Sequence, residues 1–269
     1  MKRTERIGAI IKILTDTPEK IYSLAYFCEM FDAAKSSISE DIKSAGEAIA
    51  FTGTGYLETV AGAKGGVKFV PDITDEKVAA LQEEFCERLS DPSRLLGGNF
   101  IYTSDLFYDP ELIQRIASVF ARKFRNSGAD YVATVETKGI PLAARVSHLL
   151  NLPLVVIRRE AKISEGSTVS INYFSGSYDR IQRMSMSKRA ITSGSKVLVI
   201  DDFMRGGGSV VGISEMVQEF GSTVCGVGVA IASVVPEKKK VDDYTCLVYI
   251  DDIIKEDKSI RLIPNKNLF

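Results

Sequence analysis

Apolar residues along this 269-residue chain follow two regimes. At the amino terminus, Ile7, Ile10, Ile11 and Leu14 recur at three- and four-residue spacing, which predicts a helix over 3–15 with one buried face. Thr17-Pro18 ends it. Leu24, Phe27, Cys28 and Phe31 predict a second helix, with Ser23 placed to cap it. After the turn Asp32-Ala33-Ala34, a third helix is expected to begin near Ser36 or Ser37 and to turn Ile38, Ile42, Ala45 and Ile49 inward. Ser37 and Glu40 have the spacing of a capping box. Two apolar stretches, 55–61 and 67–71, then flank a glycine-rich reversal with Lys64 at its tip, the pattern of a hairpin.

Pro71-Asp72 marks a boundary. Val78, Leu81, Phe85 and Leu89 predict a connecting helix that Ser90-Asp91-Pro92 breaks. Beyond it the pattern alternates: a helix over 110–126, a strand over 131–135, a helix over 140–150, a strand over 154–158, an irregular stretch, a strand over 197–200, and a helix opened by Ser209 with Val210, Ile213, Met216, Val217 and Phe220 on its apolar face. Strands near 224–233 and 246–250 complete the series. Val197 to Ile200 is apolar throughout, as a strand covered on both faces must be. Such alternation predicts an α/β domain with a mainly parallel sheet. The expected domains are residues 1–73 and 74–269, with 74–90 as the connecting helix.

Composition adds bounds rather than chemistry. Apolar residues make up 45% and charged residues 26% of the chain, as in ordinary globular proteins. Cys28, Cys86, Cys225 and Cys246 have no metal-ligand spacing and read as buried thiols in a reducing compartment. The first ten residues carry too short an apolar run for a signal peptide, and no stretch reaches membrane-spanning length, so a cytoplasmic protein without a membrane partner is expected. His148, the one histidine, reads as a surface or boundary residue, and Lys238-Lys239-Lys240 as a solvated loop with anion contact as the alternative.

Three helices with a tight turn before the third make a helix-turn-helix, whose third helix enters the major groove by its N-terminal end. With the hairpin, the segment resembles a winged-helix DNA-binding domain. Its candidate DNA contacts are Lys2 and Arg3 at the first residues, Lys35, Ser36, Ser37, Ser39 and Lys43 on the third helix, and Lys64 on the wing. Residues 1–72 hold nine basic and ten acidic side chains, a net −1 that is poor for strong nonspecific DNA binding, although the positive groups concentrate where the fold would meet DNA. On pattern alone a small helical interaction module is the alternative.

The chemistry concentrates in VLVIDDFMRGGGSVVG, residues 197–212. Asp201 and Asp202 end a buried strand; Gly206, Gly207 and Gly208 then lead into the helix that Ser209 opens. Glycines let backbone approach a phosphate, and the first N–H groups of a helix lack intrahelical partners, so the loop is an anion cradle. Two carboxylates beside a phosphate site demand hydrogen-bond donors, and vicinal sugar hydroxyls supply them. Thr137-Lys138-Gly139 follows another strand and precedes a helix, making a second candidate anion site. Arg158, Arg159 and Lys162 follow the next strand. Phe203 and Tyr102 are candidates to flank a ligand.

The 197–212 stretch resembles the binding loop of type I phosphoribosyltransferases, which recognise phosphoribosyl pyrophosphate (PRPP). That resemblance implies the ribose hydroxyls on Asp201 and Asp202, the 5-phosphate on the turn from Arg205 to Ser209, and the pyrophosphate on Thr137, Lys138 and Gly139 with charge from Arg158, Arg159 and Lys162. Residues 164–189 resemble the mobile hairpin that closes over the ligand, with Arg180, Arg183, Lys188 and Arg189 as candidate contacts. From the winged helix through TVETKGIPLA to VLVIDDFMRGGGS, nearly the whole chain is similar to the purine operon regulators of Gram-positive bacteria. This implies a homodimeric repressor that binds operator DNA of purine genes and is released by PRPP. No cofactor is required, Mg2+ at most accompanies PRPP, and no metal site is expected. Guanosine alarmone nucleotides are expected competitors at the same two loops. The alternative is an active purine phosphoribosyltransferase. Arg205 and Gly206, however, stand where catalytic relatives carry a small residue and then Thr or Ser, so the resemblance implies binding without turnover.

Overall fold

Helix α1 (Arg3–Asp16) buries Ile10 and Leu14, helix α2 (Leu24–Phe31) buries Phe27, and helix α3 (Lys35–Thr52) buries Ile38, Ala45 and Ile49. The three stripes meet one another and Tyr22, Val67 and Phe69 in a single apolar cluster. Each of the Ile, Leu and Phe side chains among them contributes roughly 1.5–3 kcal/mol when fully buried. Ser23 caps α2 by accepting the Tyr26 N–H, as its sequence position predicts. Asp32 closes α2 in the left-handed region at φ 46° and redirects the chain. Because of that early turn, α3 starts at Lys35 with Ala34 as its N-cap; Ser37 and Glu40 already lie inside the helix and form no capping box. Strands β1 (Gly55–Val60) and β2 (Gly66–Pro71) pair antiparallel, and Tyr22 bridges Val67 as a third, single-residue strand.

The computed structural model describes residues 1–62, 64–97, 100–161, 163, 166–175, 180–254 and 259–269. They form two units, Met1–Asp75 with His148–Asn151, and Glu76–Ser147 with Leu152–Phe269.

In the second unit, helix α4 (Asp75–Leu89) buries Val78, Leu81, Phe85 and Leu89, the stripe read from sequence. Its buried Gln82 donates Nε2–H groups to the carbonyls of Leu247 and Asn265, both at 2.8 Å. The chain then makes β3 (Leu95–Leu96), β4 (Phe100–Ile101) and α5 (Ser104–Phe107), elements too short to leave a periodic signature. Helix α6 (Pro110–Phe124) is capped by Asp109 and packs Phe120 and Phe124 over Gly226 and Gly228. Next come β5 (Tyr131–Val135), α7 (Gly139–Leu150), β6 (Leu154–Ile157), β7 (Thr168–Ser175), β8 (Arg180–Ser187), β9 (Lys196–Met204), α8 (Gly208–Glu219), β10 (Thr223–Ser233), β11 (Thr245–Ile254) and β12 (Ser259–Pro264).

Six strands form one sheet in the order β12-β11-β10-β9-β5-β6, parallel except for β12. From β5 the chain crosses to β6 on one side, and from β9 it crosses to β10 on the other. A crevice therefore opens where the carboxyl ends of β5 and β9 meet, the place at which open α/β sheets bind ligands. Strand β9 runs past Ile200, its expected end, because Asp201, Phe203 and Met204 keep pairing with Val229, Ile231 and Ala232 of β10. The stretch expected to be irregular contains the regular hairpin β7–β8, with Tyr173, Met184 and Met186 buried on one face. Among the described residues, no helix is long and apolar enough to cross a membrane.

Asp41 of α3 is 1% exposed and receives Arg6 at 2.8 Å and Arg3 at 3.1 Å from α1. Removing one partner of such a buried pair strands the other charge. Asp41→Ala is therefore expected to destabilise the amino-terminal unit by roughly 2–4 kcal/mol, read as lost hydrogen-exchange protection in α1 and α3. Unchanged protection would show that the pair holds nothing together.

Candidate functional site

The crevice is a cavity of about 650 Å³. Strand β9 brings Asp201 and Asp202 to its floor; the loop after β5 supplies Glu136, Thr137 and Lys138; Arg159 follows β6; and Arg205 and Ser209 stand at either end of the glycine turn. The rest of the lining is largely apolar, with Phe100, Ile101, Phe203, Ile231, Val235, Ile250 and Ile253, interrupted by Thr103, Ser233, Asp251 and Asp252.

Close backbone approach makes this geometry. Gly139 begins α7 with the Asp201 carboxylate and the Thr134 hydroxyl in the space a Cβ would need. Any side chain there would drive the β5 loop off the acids. At the other loop, Gly207 takes φ 80° as the N-cap of α8 and makes no side-chain cap bond, so the first N–H groups of α8 get no side-chain acceptor from their cap. The helix starts at Gly208, one residue before Ser209. Lys138 Nζ donates to the buried Thr103 hydroxyl at 3.3 Å, tying the β5 loop to the residue before α5.

The acids are the electrostatic centre. Asp201 is 7% exposed. Its burial, then the adjacent Asp202 charge, push its pKa well above the ordinary carboxylate range, while the Asp202 N–H and the Arg159 charge pull the other way. Burial also raises Asp202, against the pull of Asp201 and Lys138. The Asp202 N–H donates to Asp201 Oδ1 at 3.0 Å. An acid pair with one member buried and the other half-buried is satisfied by a proton, a cation or a ligand rich in hydroxyl donors.

Of the residues selected from sequence, the structure gathers Thr137, Lys138, Arg159, Asp201, Asp202, Phe203, Arg205 and Ser209 on one cavity wall, with Gly206, Gly207 and Gly208 as the turn between the last two. Gly139 lies behind the acids and acts through its missing side chain. Arg158 is not among the residues lining the cavity; its backbone bridges Ser185 of β8 and its guanidinium pairs with the lining residue Glu136 at 3.4 Å. Tyr102 is 46% exposed and is not among the residues that line the cavity, whereas Phe100, Ile101 and Thr103 are. Arg183, Lys188 and Arg189 are exposed away from this wall. Lys162 lies outside the described residues. His148 is exposed near the end of α7, as read from sequence.

Sequence reasoning missed Glu136, which accepts the Arg159 N–H at 2.7 Å, and every apolar lining residue other than Phe203. One signal was available: CLVYIDD on β11 repeats the pattern of VLVIDD on β9, a buried run ending in paired acids. On the amino-terminal unit, Lys2, Lys35, Ser36, Ser39, Lys43 and Lys64 are exposed, and Ser37 is half-buried on the first turn of α3. Arg3 is exposed yet engaged with Asp41 and, at 3.9 Å, with Glu40.

A winged helix joined to a type I phosphoribosyltransferase fold, with an acid pair and a glycine turn at the switch point of its sheet, defines the class. Comparison with known proteins agrees unit by unit. Residues 2–71 match the model "Bacterial purine repressor, N-terminal" and residues 103–261 the model "Phosphoribosyl transferase domain". The carboxyl-terminal fold resembles the solved adenine phosphoribosyltransferase of Thermoanaerobacter pseudethanolicus, with a TM-score of 0.54 at 19% identity, covering 62% of this chain and 98% of that one. Over 261 residues the chain is 41% identical to the "Probable purine biosynthesis transcriptional regulator PurR" of Streptococcus pneumoniae, covering 97% of this chain and 95% of that protein. It is 38% identical to the "Purine biosynthesis transcriptional repressor PurR" of Bacillus subtilis, covering 97% and 92%. The chain belongs to the PurR family of Gram-positive purine regulators.

The raised acids carry a stability consequence. The unfolded chain ionises in the ordinary carboxylate range, whereas the folded chain resists until higher pH, so their contribution is whole below that range and is lost as pH rises through the raised folded values. Asp201→Asn with Asp202→Asn is expected to remove this slope and to stabilise the ligand-free protein at neutral pH by on the order of 1–3 kcal/mol. Urea midpoints measured from pH 4 to 8 check it; identical slopes in the two proteins would contradict the burial argument.

Proposed function

We propose that this protein is a PRPP-responsive transcriptional regulator, a repressor of purine biosynthesis and salvage genes. The observation that carries the reading is the meeting of a buried acid pair with a glycine turn at the sheet's switch point, in a chain whose amino-terminal unit is a winged helix. Asp201 and Asp202 accept the two ribose hydroxyls, the turn from Arg205 to Ser209 takes the 5-phosphate, and Thr137 and Lys138 with Arg159 take the pyrophosphate. Glu136, Asp201, Asp202, Asp251 and Asp252 outnumber Lys138, Arg159 and Arg205 on the cavity wall. That excess supports Mg2+ entering with the pyrophosphate; among the described residues no cluster of acids, histidines or cysteines forms a metal site of the protein's own. Operator DNA is bound by Lys2, Arg3, Lys35, Ser36, Ser37, Ser39, Lys43 and Lys64. The protein works in the cytoplasm as a homodimer.

Binding without turnover is part of the proposal. Catalysis requires contacts stronger in the transition state than in the ground state, and a phosphate turn of three glycines and one serine offers one hydroxyl. Linkage then fixes the regulation: PRPP releases the operator only by binding the free protein more tightly than the DNA-bound one.

Purified protein is expected to bind PRPP, to lose operator affinity as it does so, and to release no pyrophosphate when a purine base is added. Asp201→Ala with Asp202→Ala should abolish the PRPP response and leave operator binding within about twofold, measured by fluorescence anisotropy. Neither acid belongs to the DNA-binding unit, so the expected change in operator binding energy is under about 0.5 kcal/mol. Base-dependent pyrophosphate release would instead establish the enzyme. Guanosine alarmones, which also carry clustered phosphates, are expected to displace PRPP competitively in calorimetric titration; independent binding of the two would reject a shared site.

A further inference from the structure

Lys238-Lys239-Lys240 reads from sequence as a solvated loop, but the structure ties it to the phosphate side of the cavity. The Lys240 N–H donates to the Gly206 carbonyl at 3.0 Å. Gly207, next in the turn, lies against Val241 and the Lys240 backbone, with room for no more than a tight Cβ contact of 3.2 Å. A trans peptide points its carbonyl and its N–H in opposite directions. With the Gly206 carbonyl turned to Lys240, the Gly207 N–H of the same peptide is turned away from the lysine loop.

Lys239 closes that loop on itself. Its Nζ donates to the Val234 carbonyl at 3.1 Å and to the Pro236 carbonyl at 2.6 Å, and Pro236 in turn lies beside Gly206. The side chain is half-buried. Burial first, and the Arg205 charge second, lower its pKa. The neighbouring Lys240 ammonium lies 4.6 Å from the Phe174 ring on β7, directed to the hairpin. Lys239 is thus the member of the run whose ammonium is fixed on the loop that lies against Gly206.

We propose that Lys239 is a positioning residue for the phosphate-binding turn: by clamping the carbonyls of Val234 and Pro236 it holds the Lys240 N–H on Gly206, and beside Arg205 it makes this end of the cavity selective for a dianionic phosphate ester. This inference rests on the assignment of the 5-phosphate to the turn from Arg205 to Ser209. It adds a group from the β10–β11 connection, outside the glycine turn and outside the β5 loop, to the determinants of ligand choice. Unlike a general stabilising contact, it acts at one end of the ligand.

The test uses the full chain and two probes that occupy opposite ends of the cavity, ribose 5-phosphate and inorganic pyrophosphate, titrated calorimetrically. Lys239→Met keeps the apolar stem and removes the ammonium. It is expected to weaken ribose 5-phosphate about 5- to 20-fold, the scale of one charge-assisted contact, while pyrophosphate stays within about twofold. Lys239→Gln keeps a donor for the loop carbonyls without the charge; it is expected to fall between wild type and Lys239→Met, and its thermal unfolding, together with the retained pyrophosphate site, separates positioning from loss of fold. Equal weakening of both probes in both variants, or no weakening of ribose 5-phosphate, would overturn the inference. Wild-type protein that binds neither probe would overturn the functional reading itself, and this inference with it.

Discussion

Two carboxylates held next to each other at the buried end of a parallel strand are the constraint on which the rest of this structure depends. Neither acid gains from folding in its ionised form, since burial outweighs the pull of Arg159 on Asp201 and of Lys138 on Asp202. The fold nevertheless fixes them there. Strand β9 keeps its ladder to β10 through and beyond the acids, the Asp202 N–H faces Asp201, and Gly139 brings the β5 loop against the same carboxylate. Stability given up at one spot in this way marks a site built for something that supplies hydrogens or positive charge, and a vicinal diol supplies two hydroxyls at the right spacing for neighbouring acids.

Around that pair the sheet topology sorts the remaining groups. Because the chain leaves β5 and β9 in opposite directions, two helix N-termini and their loops face one crevice, each able to take an anion at its own end. Cations come from separate elements, Lys138 after β5, Arg159 after β6 and Arg205 after β9, so the charge is spread along the cavity rather than pooled. The amino-terminal unit uses charge differently. Its net charge is near zero, and part of its positive charge is held by Asp41 on α3 itself. A unit of that kind depends on where its few exposed cations lie more than on total charge, consistent with a sequence-selective regulator rather than a general DNA binder.

Much of this is legible in the sequence because the informative elements are long or chemically distinctive. Apolar stripes at helical spacing locate α1, α4, α6 and α8, and the unbroken run of Val197 to Ile200 locates the central strand. The acid pair and the glycine turn stand out because few structural roles call for those residue types in that order, and Thr137-Lys138-Gly139 gains meaning only from its place between a strand and a helix. What escapes is short or tertiary. Strands of two residues have no period, so β3 and β4 are invisible in the pattern, which points to Tyr102 in place of Ile101 and Thr103. Arg158 and Arg159 are equivalent as letters, yet the fold pairs the Arg158 guanidinium with Glu136 and leaves Arg159, which gives Glu136 its backbone N–H, to line the cavity. The start of α3 moves because a left-handed Asp32 turns the chain early, a conformation the residue permits and does not announce. A run of three lysines looks like solvent-facing charge until the fold brings Gly206 to the Lys240 N–H.

The central claim is a ligand held at two ends, sugar hydroxyls on Asp201 and Asp202 and phosphate on the turn from Arg205 to Ser209. A crystal structure of the full chain with PRPP and Mg2+ tests it most directly. The account predicts both ribose hydroxyls within about 3 Å of the two carboxylates, and the 5-phosphate on the backbone N–H groups of the glycine turn at hydrogen-bond distance. A ribose turned away from the acids, or a phosphate seated elsewhere in the cavity, would contradict it.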